Sequence, residues 1–186
     1  MTALLDQILE HNERFVAERE RPISKAPAKK IALFTCMDTR LVEFLEPALG
    51  VRRGDAIVIK NAGATIVDPT GGVMRSLVVA VHVLGCGEVY VVGHRDCGMT
   101  GISSEGLEEK MLARGVPAEA IAAITPSLAD WVGAFRDPEE NVRDVVRIIR
   151  ESPLLPDDVP VHGLIFDPAS GRLDLLVRGG QAAAPH

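Results

Sequence analysis

Apolar positions recur along the chain with two periods, and their alternation outlines a fold. Leu4, Leu5, Ile8, Asn12 and Phe15 fall on one helical face with charged residues between them, the spacing of an amphipathic helix. The short run Ile31, Ala32, Leu33, Phe34, Thr35 reads as a buried strand. Helical spacing follows from Leu41 to Leu49 and ends at Gly50, a residue suited to the left-handed position beyond a helix. Residues 56–59 give a second strand, and Gly71 and Gly72 then open an apolar helix from Val73 to about Leu84, closed by Gly85. Residues 89–92 are rich in β-formers and give a third strand that stops at Gly93.

Residues 103–130 are helical in composition, broken by Gly115-Val116-Pro117 and by Thr125-Pro126. Beyond Asp137-Pro138, Val142, Val145, Val146 and Ile149 stand at i, i+3, i+4 and i+7, so a core-facing helix is predicted as far as Ser152-Pro153. Residues 161–166 and 172–177 flank the turn Asp167 to Gly171 and predict a closing hairpin. Strands alternating with helices predict an α/β fold of three layers: a mostly parallel sheet flanked by helices, with an antiparallel edge strand from the hairpin. With 186 residues and no internal repeat, one domain over 1–186 is expected. Its N-terminal helical arm would span about 2–18, and a tail over about 179–186 would fray.

Charge narrows the partners. The 26 acidic and 20 basic side chains leave a net charge of −6, which offers no overall attraction to nucleic acid. No stretch of apolar residues is long enough to span a membrane. The first residues lack the basic and hydrophobic regions of a signal peptide, so a cytoplasmic protein is expected. Three cysteines, Cys36, Cys86 and Cys97, are an odd number for a disulfide framework. In a reducing compartment, cysteines near a histidine read instead as metal ligands or reactive thiols.

Parallel sheets place their sites beyond the C-terminal ends of the strands. Three such ends carry chemistry here: Cys36-Met37-Asp38-Thr39-Arg40, Lys60-Asn61-Ala62-Gly63 and Gly93-His94-Arg95-Asp96-Cys97-Gly98. Cys36, His94 and Cys97 make a Cys₂His set that suits zinc, and three protein ligands with an open fourth position mark a catalytic site. Asp38 has two available roles, as a fourth ligand or as acceptor of a hydrogen bond from water on the metal. Arg40 would pair with it and hold it off the ion; a plain surface ion pair is the blander reading. Cys86, lying between glycines, reads as a small buried hydrophobe. Arg95 and Asp96 read as turn formers, and His82 and His162 as satisfied core or interface histidines. Nothing brings His11 near the crevice. Residues 68–72 are turn chemistry without the lysine of a nucleotide loop, and no GxGxxG occurs.

These segments, together with Gly54-Asp55 and residues 161–173, resemble the β-class carbonic anhydrases, and most of all their short prokaryotic and archaeal plug-type members. The similarity runs from about residue 31 to 177. It implies one zinc ion per chain on Cys36, His94 and Cys97, with Asp38 and Arg40 as a dyad orienting a metal-bound hydroxide for the reversible hydration of CO₂ to bicarbonate and a proton. It further implies a homodimer or dimer-based tetramer, with the N-terminal helix laid on the partner subunit. Two other readings share the scaffold: a hydrolase of CS₂ or COS, and a zinc-binding relative without turnover. The sequence departs from the family's pattern at Asn61-Ala62-Gly63-Ala64, where relatives often carry a polar residue in place of alanine. With 4% aromatic residues, no equivalents of the aromatic pocket wall found in larger relatives are assigned.

Overall fold

The computed structural model describes residues 4–17, 23–124, 127–133 and 135–180; the predicted break at Thr125-Pro126 and residues 181–186 of the tail lie outside them. Five strands are formed: β1 (Ile31–Cys36), β2 (Ala56–Asn61), β3 (Glu88–His94), β4 (Val161–Phe166) and β5 (Leu173–Val177). They join in one sheet of order β2-β1-β3-β4-β5. All neighbours run parallel except β4 and β5, so the closing hairpin supplies the antiparallel edge. The α-helices are α1 (Leu4–Ala17), α2 (Leu45–Ala48), α3 (Gly72–His82), α4 (Ser104–Ala113), α5 (Ala118–Ala122), α6 (Leu128–Val132) and α7 (Pro138–Arg150).

Alternation along each strand divides the core in two. Ala32, Phe34, Val89 and Val91 face Met74, Leu77 and Ala80 of α3 and the predicted stripe Val142, Val145, Val146 and Ile149 of α7. On the opposite side, Leu33, Val92, Leu164 and Phe166 pack with Leu41 and with Leu45 of α2. Each of these large side chains contributes roughly 1.5–3 kcal/mol by leaving water. Helix α7 begins where the sequence places it: the Asp137 carboxylate accepts from the amides of Glu139 and Glu140 at 2.8 and 2.9 Å, and Pro138 occupies the first turn, where its missing N–H costs nothing.

Two local expectations are corrected. The helix over 41–49 is interrupted: Thr39–Leu41 is a 3₁₀ turn, Glu43 has φ 54°, and α2 covers only Leu45–Ala48. In a continuous helix the Pro47 ring would strike the Glu43 carbonyl, so the proline is tolerated only in the first turn of a helix that starts after Glu43. Strand β3 also does not stop at Gly93 but runs through His94. Gly93 is there for space, because a Cβ on it would lie 2.6 Å from Val142 Cγ2. A Cβ on Gly163 of β4 would meet the other Val142 methyl at 2.9 Å. Val142 thus presses α7 onto bare backbone one residue before His94.

Gly93→Ala is therefore expected to destabilise the protein by about 1–3 kcal/mol through overpacking. Thermal denaturation should show a lowered midpoint that Val142→Ala, combined with it, partly restores. An unchanged midpoint in the single variant would show that α7 yields freely.

Candidate metal centre

The parallel register brings the site together. Strand β1 lies between β2 and β3, with Cys36 opposite Asn61 and Thr35 opposite Val92. The Thr35 hydroxyl locks the second pairing by donating to the Val92 carbonyl at 2.8 Å. Cys36 ends β1 and His94 ends the adjacent β3. The chain then turns at Asp96, whose φ of 53° is left-handed, and Cys97 comes back beside Cys36.

All three side chains are buried, and their ligand atoms lie within 4.8 Å of one another. The sulfurs of Cys36 and Cys97 are 4.0 Å apart, within reach of an S–H···S contact and with no disulfide between them. Two thiolates bound about 2.3 Å from a tetrahedral zinc stand about 3.8 Å apart, so the pair already has the spacing of shared ligands. His94 Nδ1 lies 3.0 Å from the Arg95 carbonyl oxygen; that oxygen only accepts, so Nδ1 carries the proton. The lone pair is thereby assigned to Nε2, which is buried without a hydrogen-bond partner among the described residues. An orphaned imidazole nitrogen beside two thiols is the donor set of a soft divalent cation.

The same surroundings shape the charges. The Cys97 thiol, His94 and the backbone amides of Asp38 and Gly63 all favour a Cys36 thiolate, and together they overcome burial and bring its pKa down to about 4. The Cys36 sulfur in turn, aided by burial, pushes the Cys97 thiol up. Burial opposes an imidazolium at His94, but Cys36 and the Arg95 carbonyl outweigh it and the pKa moves up.

Asp38 faces this group, with Oδ2 3.7 Å from His94 Nε2. Arg40 grips it through both oxygens: Nε donates to Oδ1 at 3.0 Å and Nη2 to Oδ2 at 2.9 Å. The Arg40 backbone amide adds a third bond to Oδ1 at 2.8 Å. Pairing with Arg40 lowers the Asp38 pKa to about 2 and raises that of the guanidinium. The carboxylate is therefore ionised and turned towards Arg40.

Sequence reasoning missed the groups that hold these side chains. Asp96 is a turn former, as read, but it is also Arg40's second anchor. Its carboxylate accepts from Nη1 at 2.8 Å and its carbonyl from Nη2 at 2.7 Å. Arg95 reaches away to Glu139 of α7 and Asp174 of β5 at 3.2 and 3.5 Å. The one available signal was that Asp96 sits between two ligand candidates. Cys86 is buried in the α3 core, where desolvation raises its pKa. His82 bonds the Leu154 carbonyl, and His162 accepts from the Gly179 amide and stacks on Tyr90; His11 lies on the exposed α1.

Comparison with known proteins bears on the same residues. The carbonic anhydrase family profile matches residues 31–173, from the first residue of β1 to the first of β5. YtiB of Bacillus subtilis (strain 168), which bears a provisional carbonic anhydrase name, is 49% identical over 183 residues, covering 95% of this chain and 98% of YtiB. The crystal structure of β-carbonic anhydrase isoform I from Trichomonas vaginalis is similar with a TM-score of 0.91 at 39% identity, covering 96% of this chain and 100% of that one. A carbon disulfide hydrolase from Acidithiobacillus thiooxidans is 27% identical over 181 residues, covering 91% of this chain and 87% of the hydrolase. Sheet order, strand-end chemistry and these likenesses agree, and the chain belongs to the β-class carbonic anhydrase family.

Proposed function

We propose that this protein catalyses CO₂ + H₂O ⇌ HCO₃⁻ + H⁺, with zinc held by Cys36, His94 and Cys97 and with Asp38 and Arg40 as the catalytic dyad. The observation that carries the reading is a buried Cys₂His donor set, whose imidazole Nε2 has no hydrogen-bond partner among the described residues, with a clamped, ionised carboxylate 3.7 Å from that nitrogen. Zinc held by two thiolates and one neutral imidazole supplies the Lewis acidity that makes hydroxide available near neutral pH, less strongly than an all-imidazole set would. The protein's own groups do the rest. Asp38, unable to donate while ionised, accepts a hydrogen bond from the attacking oxygen's proton and so turns its lone pair towards CO₂. Arg40 keeps both carboxylate oxygens engaged, and Asp96 keeps Arg40 in place. With Asp38 so occupied, the reading favours its role as acceptor over that of fourth ligand.

The carbon disulfide hydrolase relative supports a second reading, hydrolysis of CS₂ or COS on the same residues. Zinc storage without turnover is disfavoured, because storage needs neither Asp38 nor Arg40. The three free cysteines fit the cytoplasm as the compartment. No helix among the described residues is long and apolar enough to cross a membrane. The reading also takes the chain as a homodimer or a dimer-based tetramer. Leu4, Leu5, Ile8, Leu9, Phe15 and Val16 of α1 are each more than half exposed, an apolar face for which a partner subunit would provide cover.

Stopped-flow measurement on zinc-quantified protein tests the activity. CO₂ hydration should be fast, zinc-dependent and increasing towards alkaline pH. Asp38 ionises at about 2, so it should add no second inflection across the assay range. Asp38→Ala should lower turnover by about 10²- to 10⁴-fold with zinc content unchanged. Loss of zinc in that variant would make Asp38 a ligand, and a wild-type rate on CS₂ alone would select the second reading. For the assembly, Leu5→Glu with Ile8→Glu should bring the mass measured by light scattering down towards the 19.9 kDa of one chain. A dimer that survives both charges would remove α1 from the interface.

A further inference from the structure

The turn that carries Cys97 is held from outside. Between His94 and Cys97 the chain reverses at Asp96, whose φ of 53° is left-handed. Aspartate tolerates that region better than most residues, and here neighbouring groups hold it there. On one side the Arg95 amide donates to the Phe166 carbonyl at 2.8 Å, and on the other the Thr100 amide donates to the Cys97 carbonyl at 3.1 Å. Asp96 itself is gripped by Arg40, 56 residues earlier in the chain. Nη2 donates to the Asp96 carbonyl at 2.7 Å and Nη1 to its carboxylate at 2.8 Å.

The same guanidinium holds both Asp38 oxygens. One planar fork therefore spans the two loops that carry the thiols: Asp38 lies two residues after Cys36, and Asp96 directly precedes Cys97. The two contacts with Asp96 differ in weight. Its carboxylate is 89% exposed, and an ion pair in water is screened and weak. The carbonyl bond is charge-assisted and the shortest of the guanidinium's four. That carbonyl belongs to the planar Asp96–Cys97 peptide, so fixing the oxygen fixes the direction in which Cys97 leaves the turn. The tie has a task, because two sulfurs 4.0 Å apart repel each other as thiolates.

We propose that Arg40 is also a positioning residue for the metal ligands: its Nη2 bond to the Asp96 carbonyl staples the His94–Cys97 turn to the loop after Cys36 and holds the two sulfurs at ligand spacing. This role is separate from its service to Asp38. It rests on the reading of Cys36, His94 and Cys97 as metal ligands. Groups that orient ligands in this way typically alter metal affinity by about 10–100-fold when removed.

The test uses the full chain and two readouts that need no turnover. One is zinc competition against a chromogenic chelator. The other is the thiolate-to-cobalt charge-transfer absorbance per bound ion in the cobalt-substituted protein, which grows with the number of sulfurs on the metal. Arg40→Met keeps the apolar stem and removes the fork. It should weaken zinc binding by about 10-fold or more and lower the cobalt absorbance. Removing a positive charge and freeing Asp38 would by themselves tighten zinc binding, so a loss reads the tie alone. Asp38→Ala leaves Arg40 on the Asp96 carbonyl, and Asp96→Gly suits the left-handed turn and keeps that carbonyl. Each should bind zinc within about threefold of wild type. If Arg40→Met fails to fold, Arg40→Lys decides, since a single ammonium cannot reproduce the fork across both loops. Zinc affinity within about twofold of wild type, or tighter, in the Arg40 variant would overturn the proposal and leave Arg40 a partner of Asp38 alone. So would an equal loss in Asp38→Ala, which would route the effect through the carboxylate, or in Asp96→Gly, which would show the carbonyl bond to be idle. A wild-type chain that takes up no zinc would instead overturn the metal-site reading itself.

Discussion

The cost of burying charge governs the organisation of this molecule around its site. Two sulfurs 4.0 Å apart and a histidine are withdrawn from water at the end of a sheet, and an ion there is tolerated only if every part of it is compensated. Compensation comes in rings. The Cys97 thiol and His94 favour the thiolate at Cys36. The Arg95 carbonyl sets the tautomer of His94. Arg40 balances Asp38, and Asp96 balances Arg40. At this site His94 Nε2 is left without a hydrogen-bond partner among the described residues, beside two sulfurs within 4.8 Å, an arrangement that a cation would complete.

The rest of the fold delivers those groups to one place. Parallel pairing puts the ends of β1, β2 and β3 side by side, so residues far apart in sequence leave the sheet in the same direction. Helix α7 acts from the other side of the sheet. Its first turn is capped by Asp137 and tied through Glu139 to Arg95. Val142 sits against Gly93, and Asn141 reaches the turn after β2. One helix thus braces two of the three strand ends, and overpacking at Gly93 would be felt at His94.

Much of this was legible because burial writes regular patterns. The strands and the stripe of α7 follow from period alone, and soft ligands at strand ends are too unusual to belong to packing. Other features are set by contacts that periodicity does not encode. The apolar spacing over 41–49 suggested one helix, yet a single proline ring divides it. Gly93 looked like a strand terminator because its true cause, a valine methyl 49 residues later in the chain, is tertiary. Asp96 looked like a turn residue, and it is one, but its bond to Arg40 spans 56 residues. Asn141 stood as an unremarked polar residue next to the core stripe. Residues that hold other residues leave little trace in sequence unless their partners lie close by.

X-ray absorption at the zinc edge tests the central claim most directly, because it counts and identifies the donors around the ion. Zinc-loaded protein at mildly alkaline pH should show two sulfurs near 2.3 Å, one imidazole nitrogen and one further light atom near 2.0 Å, and that first shell should persist in Asp38→Ala. A shell with fewer than two sulfurs would contradict the assignment of Cys36 and Cys97 as joint ligands.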